Sequence, residues 1–118
     1  LKKDKFYQEY LNKDIETVNS SVNEYVQYTA DHPLDVWQTP FETLYLRTGD
    51  CEDYSILKMY LLQTGRVLIL KSNIKELVDH AVLDINKVIL DNRTNILLNY
   101  HDLRFYTVDF IGDHLRTA

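Results

Sequence analysis

Apolar positions recur every three or four residues in the first half of the chain and alternate or run together in the second. Residues 1–12 are charged and aromatic and predict a short helix. From Asp14, which can cap, Ile15, Val18, Val22, Tyr25 and Val26 make one apolar face of a second helix. Ala30-Asp31-His32-Pro33 should end it, because a residue before proline avoids the helical region. Val36 to Pro40, with Trp37, reads as a connector, and Phe41 to Leu46 as a short helical approach to Gly49. Tyr54, Leu57, Leu61 and Leu62 then fall at i, i+3, i+7 and i+8, with Lys58 narrowing the stripe at i+4. This helix should stop near Thr64-Gly65, with Gly65 as the residue just past its end.

After Gly65 the period shortens. Val67 to Leu70, Val78 to Asp84, Lys87 to Asp91, Ile96 to Leu98 and Phe105 to Ile111 read as strands, with a turn over Asn92-Arg93-Thr94-Asn95. Helices first and strands afterwards predict an α+β fold with an antiparallel sheet. A chain of 118 residues with 45% hydrophobic positions fits one domain spanning 1–118. The net charge of -5 and the lack of a basic cluster argue against nucleic acid as a partner. No apolar run approaches the roughly 20 residues of a membrane span. With neither an initiating Met nor a signal-peptide pattern at Leu1, the chain is expected to start inside a longer precursor.

The densest chemistry lies in Thr48-Gly49-Asp50-Cys51-Glu52-Asp53-Tyr54-Ser55, which holds the single cysteine among three carboxylates. Gly49 supplies a turn, Asp50 is a good N-cap, and Asp53 places an acid in the first helical turn. Cys51 is then the first residue of a helix, where the helix dipole favours thiolate. The alternative is a small buried cysteine beside ordinary capping acids. A cysteine there, a histidine in one strand and an aspartate in the next could form a triad. If strands VDHAVLD and KVILD turn at Ile85-Asn86, His80 and Asp91 stand opposite each other, about 5 Å apart at Cβ. The bland readings are a core His80 and a turn residue Asp91. His32, His101 and His114 sit in loops or near the end, and none precedes an acidic strand end.

Asp35-Val36-Trp37-Gln38-Thr39-Pro40-Phe41-Glu42, Gly49-Asp50-Cys51-Glu52-Asp53-Tyr54, Asp79-His80-Ala81-Val82-Leu83 and Leu90-Asp91-Asn92 resemble the bacterial transglutaminase-like cysteine proteinases. These are LapG-type periplasmic proteases that release biofilm adhesins from the outer membrane. Val18-Asn19 and Val22-Asn23 resemble the family's paired Val-Asn positions, and Lys58 matches a lysine often present on the cysteine-bearing helix. The likeness runs in order from about residue 15 to 110, although the segment between Cys51 and His80 is short for the family.

The resemblance implies a papain/transglutaminase-like fold, a Cys51–His80–Asp91 triad, and a calcium site built from Asp50, Glu52 and Asp53. A dication there has independent sense, since three carboxylates would otherwise raise the pKa of Cys51. The oxyanion would be met by the Cys51 backbone N–H and a donor from Trp37 or Gln38. The expected partners are a protein substrate, such as a large adhesin, and an inner-membrane cyclic-di-GMP receptor that sequesters the protease; the expected location is the periplasm. The other readings are transglutaminase-like acyl transfer or amide hydrolysis, and a non-catalytic module that binds calcium or a partner.

Overall fold

Two aspartates open the first helices of the computed structural model, which describes residues 4–30, 37–72 and 79–110. Asp4 accepts from the Tyr7 N–H to start α1 (Lys5–Tyr10), and Asp14 accepts from the Thr17 N–H to start α2 (Ile15–Tyr25). α2 ends earlier than expected, because the chain leaves it to form β1 (Gln27–Tyr28). That strand pairs in parallel with β2 (Thr48–Gly49), which sets Tyr28 beside Gly49. The predicted stop at Asp31 to Pro33, with His32, lies outside the described residues. α3 (Pro40–Leu46) begins with a reciprocal cap between Thr39 and Glu42 and has proline in its first turn.

α4 (Cys51–Leu62) starts at Cys51 as predicted, but its far end is corrected. Gln63 takes the left-handed conformation, at φ 57°. Gly65, with φ 110°, serves a different purpose: a Cβ there would meet Ile85 Cδ1 at 2.5 Å. The narrow apolar stripe is also corrected. α4 is buried nearly all round, Lys58 included, because α2 covers one side and the sheet the other. Met59 joins Val67, Ala81, Leu83 and Leu90 beneath the helix, while Leu57 and Leu61 meet Val18 and Val22 above it. Each fully buried leucine contributes roughly 1.5–3 kcal/mol relative to exposure.

The sheet comprises β3 (Arg66–Ser72), β4 (His80–Ile85), β5 (Val88–Asp91), β6 (Thr94–Leu98) and β7 (Tyr106–Phe110), in the order β6-β5-β4-β3-β7, with every pair antiparallel. A 3-10 turn (Tyr100–Leu103) follows β6, and β7 pairs with β3 at the opposite edge. The β4–β5 hairpin turns at Asn86 and Lys87, both with positive φ, one residue later than expected. Such a turn matches the twist of the two strands. The start of the predicted Val78 strand, Ile111 and His114 lie outside the described residues.

Candidate active site

Gly49 makes space for the carboxylate that caps α4, since a Cβ on it would stand 2.7 Å from Asp53 Cβ. Asp53 is fully buried and folded back: Oδ2 accepts from the Asp50 N–H at 3.0 Å and Oδ1 from the Gln38 N–H at 2.8 Å. Asp50 returns the bond to the Asp53 N–H, closing a reciprocal cap. Cys51 is thereby held at the first helical position, among backbone N–H groups the helix itself does not satisfy. Burial drives the Cys51 thiol up to about 12, and the Glu52 and Asp50 carboxylates add to it; the Ala81 backbone N–H, bonded to the sulfur, pulls the other way. Glu52 Oε2 lies 3.7 Å from Sγ. Burial and two adjacent carboxylates thus oppose the helix dipole, which favours thiolate.

His80 and Asp91 come from the hairpin, although not as direct neighbours. Leu83 pairs with Leu90 and Asp84 with Ile89, so continuing the register puts Asp91 opposite Val82, two residues along from His80. A shift of two keeps the same face of the sheet, and an imidazole spans the diagonal. His80 Nε2 lies 2.9 Å from Asp91 Oδ1, with both side chains buried. An ionised carboxylate only accepts, so Nε2 carries the proton and Nδ1 is left as the basic nitrogen. Asp91 also accepts from the Arg93 backbone N–H at 2.9 Å and, at Oδ2, from Arg93 Nη2 at 2.8 Å. Burial alone would raise its pKa, but the bonds from His80 and Arg93 hold the carboxyl well below the usual range.

Cys51 and His80 share a cavity of about 510 Å³ with Tyr28, Asp79, Asn92 and Arg93. Asp91 stands behind His80. Nothing local in the sequence marks Tyr28 as part of the site, whereas Asn92 closes the Leu90-Asp91-Asn92 match. For Arg93, its place two residues after Asp91 inside a turn is the available signal of the fork it makes.

Two expectations change. The amide hydrogens of Gln38 are taken by Thr43 Oγ1 at 3.1 Å and the Thr48 carbonyl at 2.9 Å, so its side chain braces the approach to Gly49 and has no donor to spare for an oxyanion. Trp37 packs against the apolar cluster that contains Cys51. The carboxylates Asp50, Glu52 and Asp53 do not converge, and among the described residues no three acidic, histidine or cysteine side chains stand together to hold an ion. The cap uses both Asp53 oxygens inside the protein, whereas Asp50 and Glu52 are partly open and flank the sulfur. Those two hard oxygen donors suit part of a calcium shell. His101 is exposed, on the 3-10 turn.

A family model, the bacterial transglutaminase-like cysteine proteinase BTLCP, matches residues 2–110. Among solved structures, calcium-bound LapG of Legionella pneumophila superposes with a TM-score of 0.70 at 24% identity, over 86% of this chain and 67% of that one. EGTA-treated LapG of the same organism superposes with a TM-score of 0.66 at 20% identity, over 92% of this chain and 73% of that one. The chain thus has the LapG, transglutaminase-like fold, and spans roughly two thirds to three quarters of the length of those proteins. No curated protein matches the chain.

Proposed function

The chain belongs to the bacterial transglutaminase-like cysteine proteinases, and from that premise we propose that it hydrolyses peptide bonds with Cys51 as nucleophile, His80 as proton carrier and Asp91 as orienting acid. The carrying observation is the 2.9 Å bond from His80 to Asp91 behind a cavity that both Cys51 and His80 line. With Nε2 engaged by Asp91, Nδ1 takes the thiol proton as the sulfur attacks the scissile carbonyl. Burial and the flanking carboxylates oppose a free thiolate at Cys51, which favours coupling proton transfer to attack. The Cys51 backbone N–H meets the developing oxyanion. Nδ1 then returns its proton to the leaving amine, giving a thioester that water hydrolyses with His80 again as base.

Calcium-bound LapG is a structural relative, and here Asp50 and Glu52 would hold the ion. Its charge would offset the carboxylate field that raises the Cys51 thiol. The substrate we assign is a protein, the N-terminal region of a surface adhesin cut in the periplasm, with an inner-membrane cyclic-di-GMP receptor as sequestering partner. The motifs WxTPxE over Trp37–Glu42 and GDCEDY over Gly49–Tyr54 support that finer reading. No helix among the described residues is long and apolar enough to cross a membrane.

The test is digestion of an adhesin N-terminal fragment by wild type and Cys51→Ala, with product masses read with and without added amine. Cleavage by wild type alone, with free carboxyl products, supports the proposal. Cleavage by Cys51→Ala, or amine adducts in place of hydrolysis, overturns it.

A further inference from the structure

Lys58 is buried at 1% exposure on α4, seven residues beyond Cys51 and therefore about 10 Å along the same helix. Nothing in the proposed reaction uses it. Its ammonium donates to the Asn19 side-chain oxygen at 2.7 Å, a neutral partner, and stands 5.8 Å from the centre of the Tyr54 ring. Burying an ammonium against an amide is costly, and an apolar side chain of that shape would avoid the penalty.

The residues around it lead back to the site. Because Asn19 gives its oxygen to Lys58, its amide nitrogen must point the other way, and it donates to the Thr94 carbonyl at 3.2 Å. One helical turn later, Asn23 donates to the Asp91 carbonyl and to the Thr94 carbonyl, each at 3.1 Å. The two amides of α2 thus grip the β5–β6 turn at both ends, and Lys58 sets the orientation of one of them. Burial draws the Lys58 pKa down to about 7, and the opposing influence is the charge of Asp91. Arg93 engages Asp91 from the half-exposed side.

We propose that Lys58 is a positioning residue for Asp91: through Asn19 and through its own charge it fixes the carboxylate that holds His80, from the same helix that carries Cys51. The inference rests on the protease reading above. The role explains why an amine that donates to Asn19 is kept where an apolar residue would be less costly.

The test uses Lys58→Met in the full chain. We expect the variant to stay folded at assay temperature while kcat falls about 10-fold to 100-fold with KM held within about twofold, as for small misplacements of a reacting group. A kcat equal to wild type overturns the proposal, as does a fall in kcat that merely tracks loss of folded protein. NMR titration of the Lys58 side chain decides independently of turnover. In Asp91→Asn the midpoint should drop by about half a pH unit or more, and an unmoved midpoint overturns the coupling. Hydrolysis that survives in Cys51→Ala would defeat the protease reading alone, leaving the titration to judge Lys58.

Discussion

The two halves of the site are prepared to different degrees. On the sheet side, Asp91 receives His80, the Arg93 backbone and the Arg93 guanidinium, and its turn is gripped by Asn19 and Asn23 from α2. On the helix side the cap is equally well made, but the sulfur it presents is buried among carboxylates that oppose its ionisation. In the proposed triad the His80 side is thus already assembled, with its tautomer set by an acceptor-only partner. The proposed nucleophile, Cys51, is placed in space by the cap, while its surroundings oppose its ionisation. In this protein geometry and electrostatics are separate requirements, and the carboxylates that flank the thiol suppress it while offering a dication two anionic ligands.

Removing either reacting group should have the largest effect. Cys51→Ala and His80→Ala should each lower kcat by about 10³-fold or more while leaving the fold intact, read by peptide hydrolysis and circular dichroism. Unequal losses would mean that the halves do not act as one unit. Asp91→Asn should leave more activity, a loss of about 10²-fold, because the base stays and only its orientation suffers. If His101→Ala proves the more damaging, the hairpin is not the base half.

The next prediction bears on the helix side alone. Iodoacetamide should label Cys51 several-fold more slowly in EGTA than in calcium, and Glu52→Gln with Asp50→Asn should abolish that difference. A labelling rate indifferent to calcium in wild type would leave those acids as ordinary caps. Melting temperature should rise with calcium above its dissociation constant.

Smaller effects are expected from the supports. Gly49→Ala should destabilise by about 1–3 kcal/mol, since the new methyl meets Asp53 Cβ at 2.7 Å and the cap must shift. Urea denaturation measures it, and an unchanged midpoint would show that the turn yields. Acid reports the sheet side. The Asp91 carboxyl is held below its unfolded value of about 3.9, so its stabilisation is complete above that pH and is lost as pH falls through the folded value. Between pH 4 and more acid conditions the melting temperature of wild type should therefore fall more steeply than that of Asp91→Asn, and parallel curves would count against the strong pairing.

Interactions within a few residues were legible in the chain. An acid three residues before another acid, with a glycine ahead of both, gave the cap, the start of α4 and the position of Cys51, because capping satisfies backbone groups only one turn away. Asp14 worked in the same way. The alternating runs located the strands, and the antiparallel α+β class came with them. The pairing of His80 with Asp91 was foreseen from the hairpin, but by a register two residues off. The face survived the error because side-chain direction repeats every two residues.

What the chain could not disclose depended on groups far apart in sequence. That Gln38 spends its donors on Thr43 and Thr48, and that Asp53 turns inward to the Gln38 N–H, is fixed by how the connector after residue 36 packs on the helix start. That β7 lies beside β3, at the edge opposite β6, comes from closing the whole sheet. Lys58 read as a polar interruption of an apolar stripe, and only the packing of α2 against α4 and the β5–β6 turn buried it. A charge beside apolar neighbours carries no local sign of whether it will meet water or an amide thirty-nine residues away. Its environment is set by tertiary packing, which is why its bearing on Asp91 emerged only in the folded molecule.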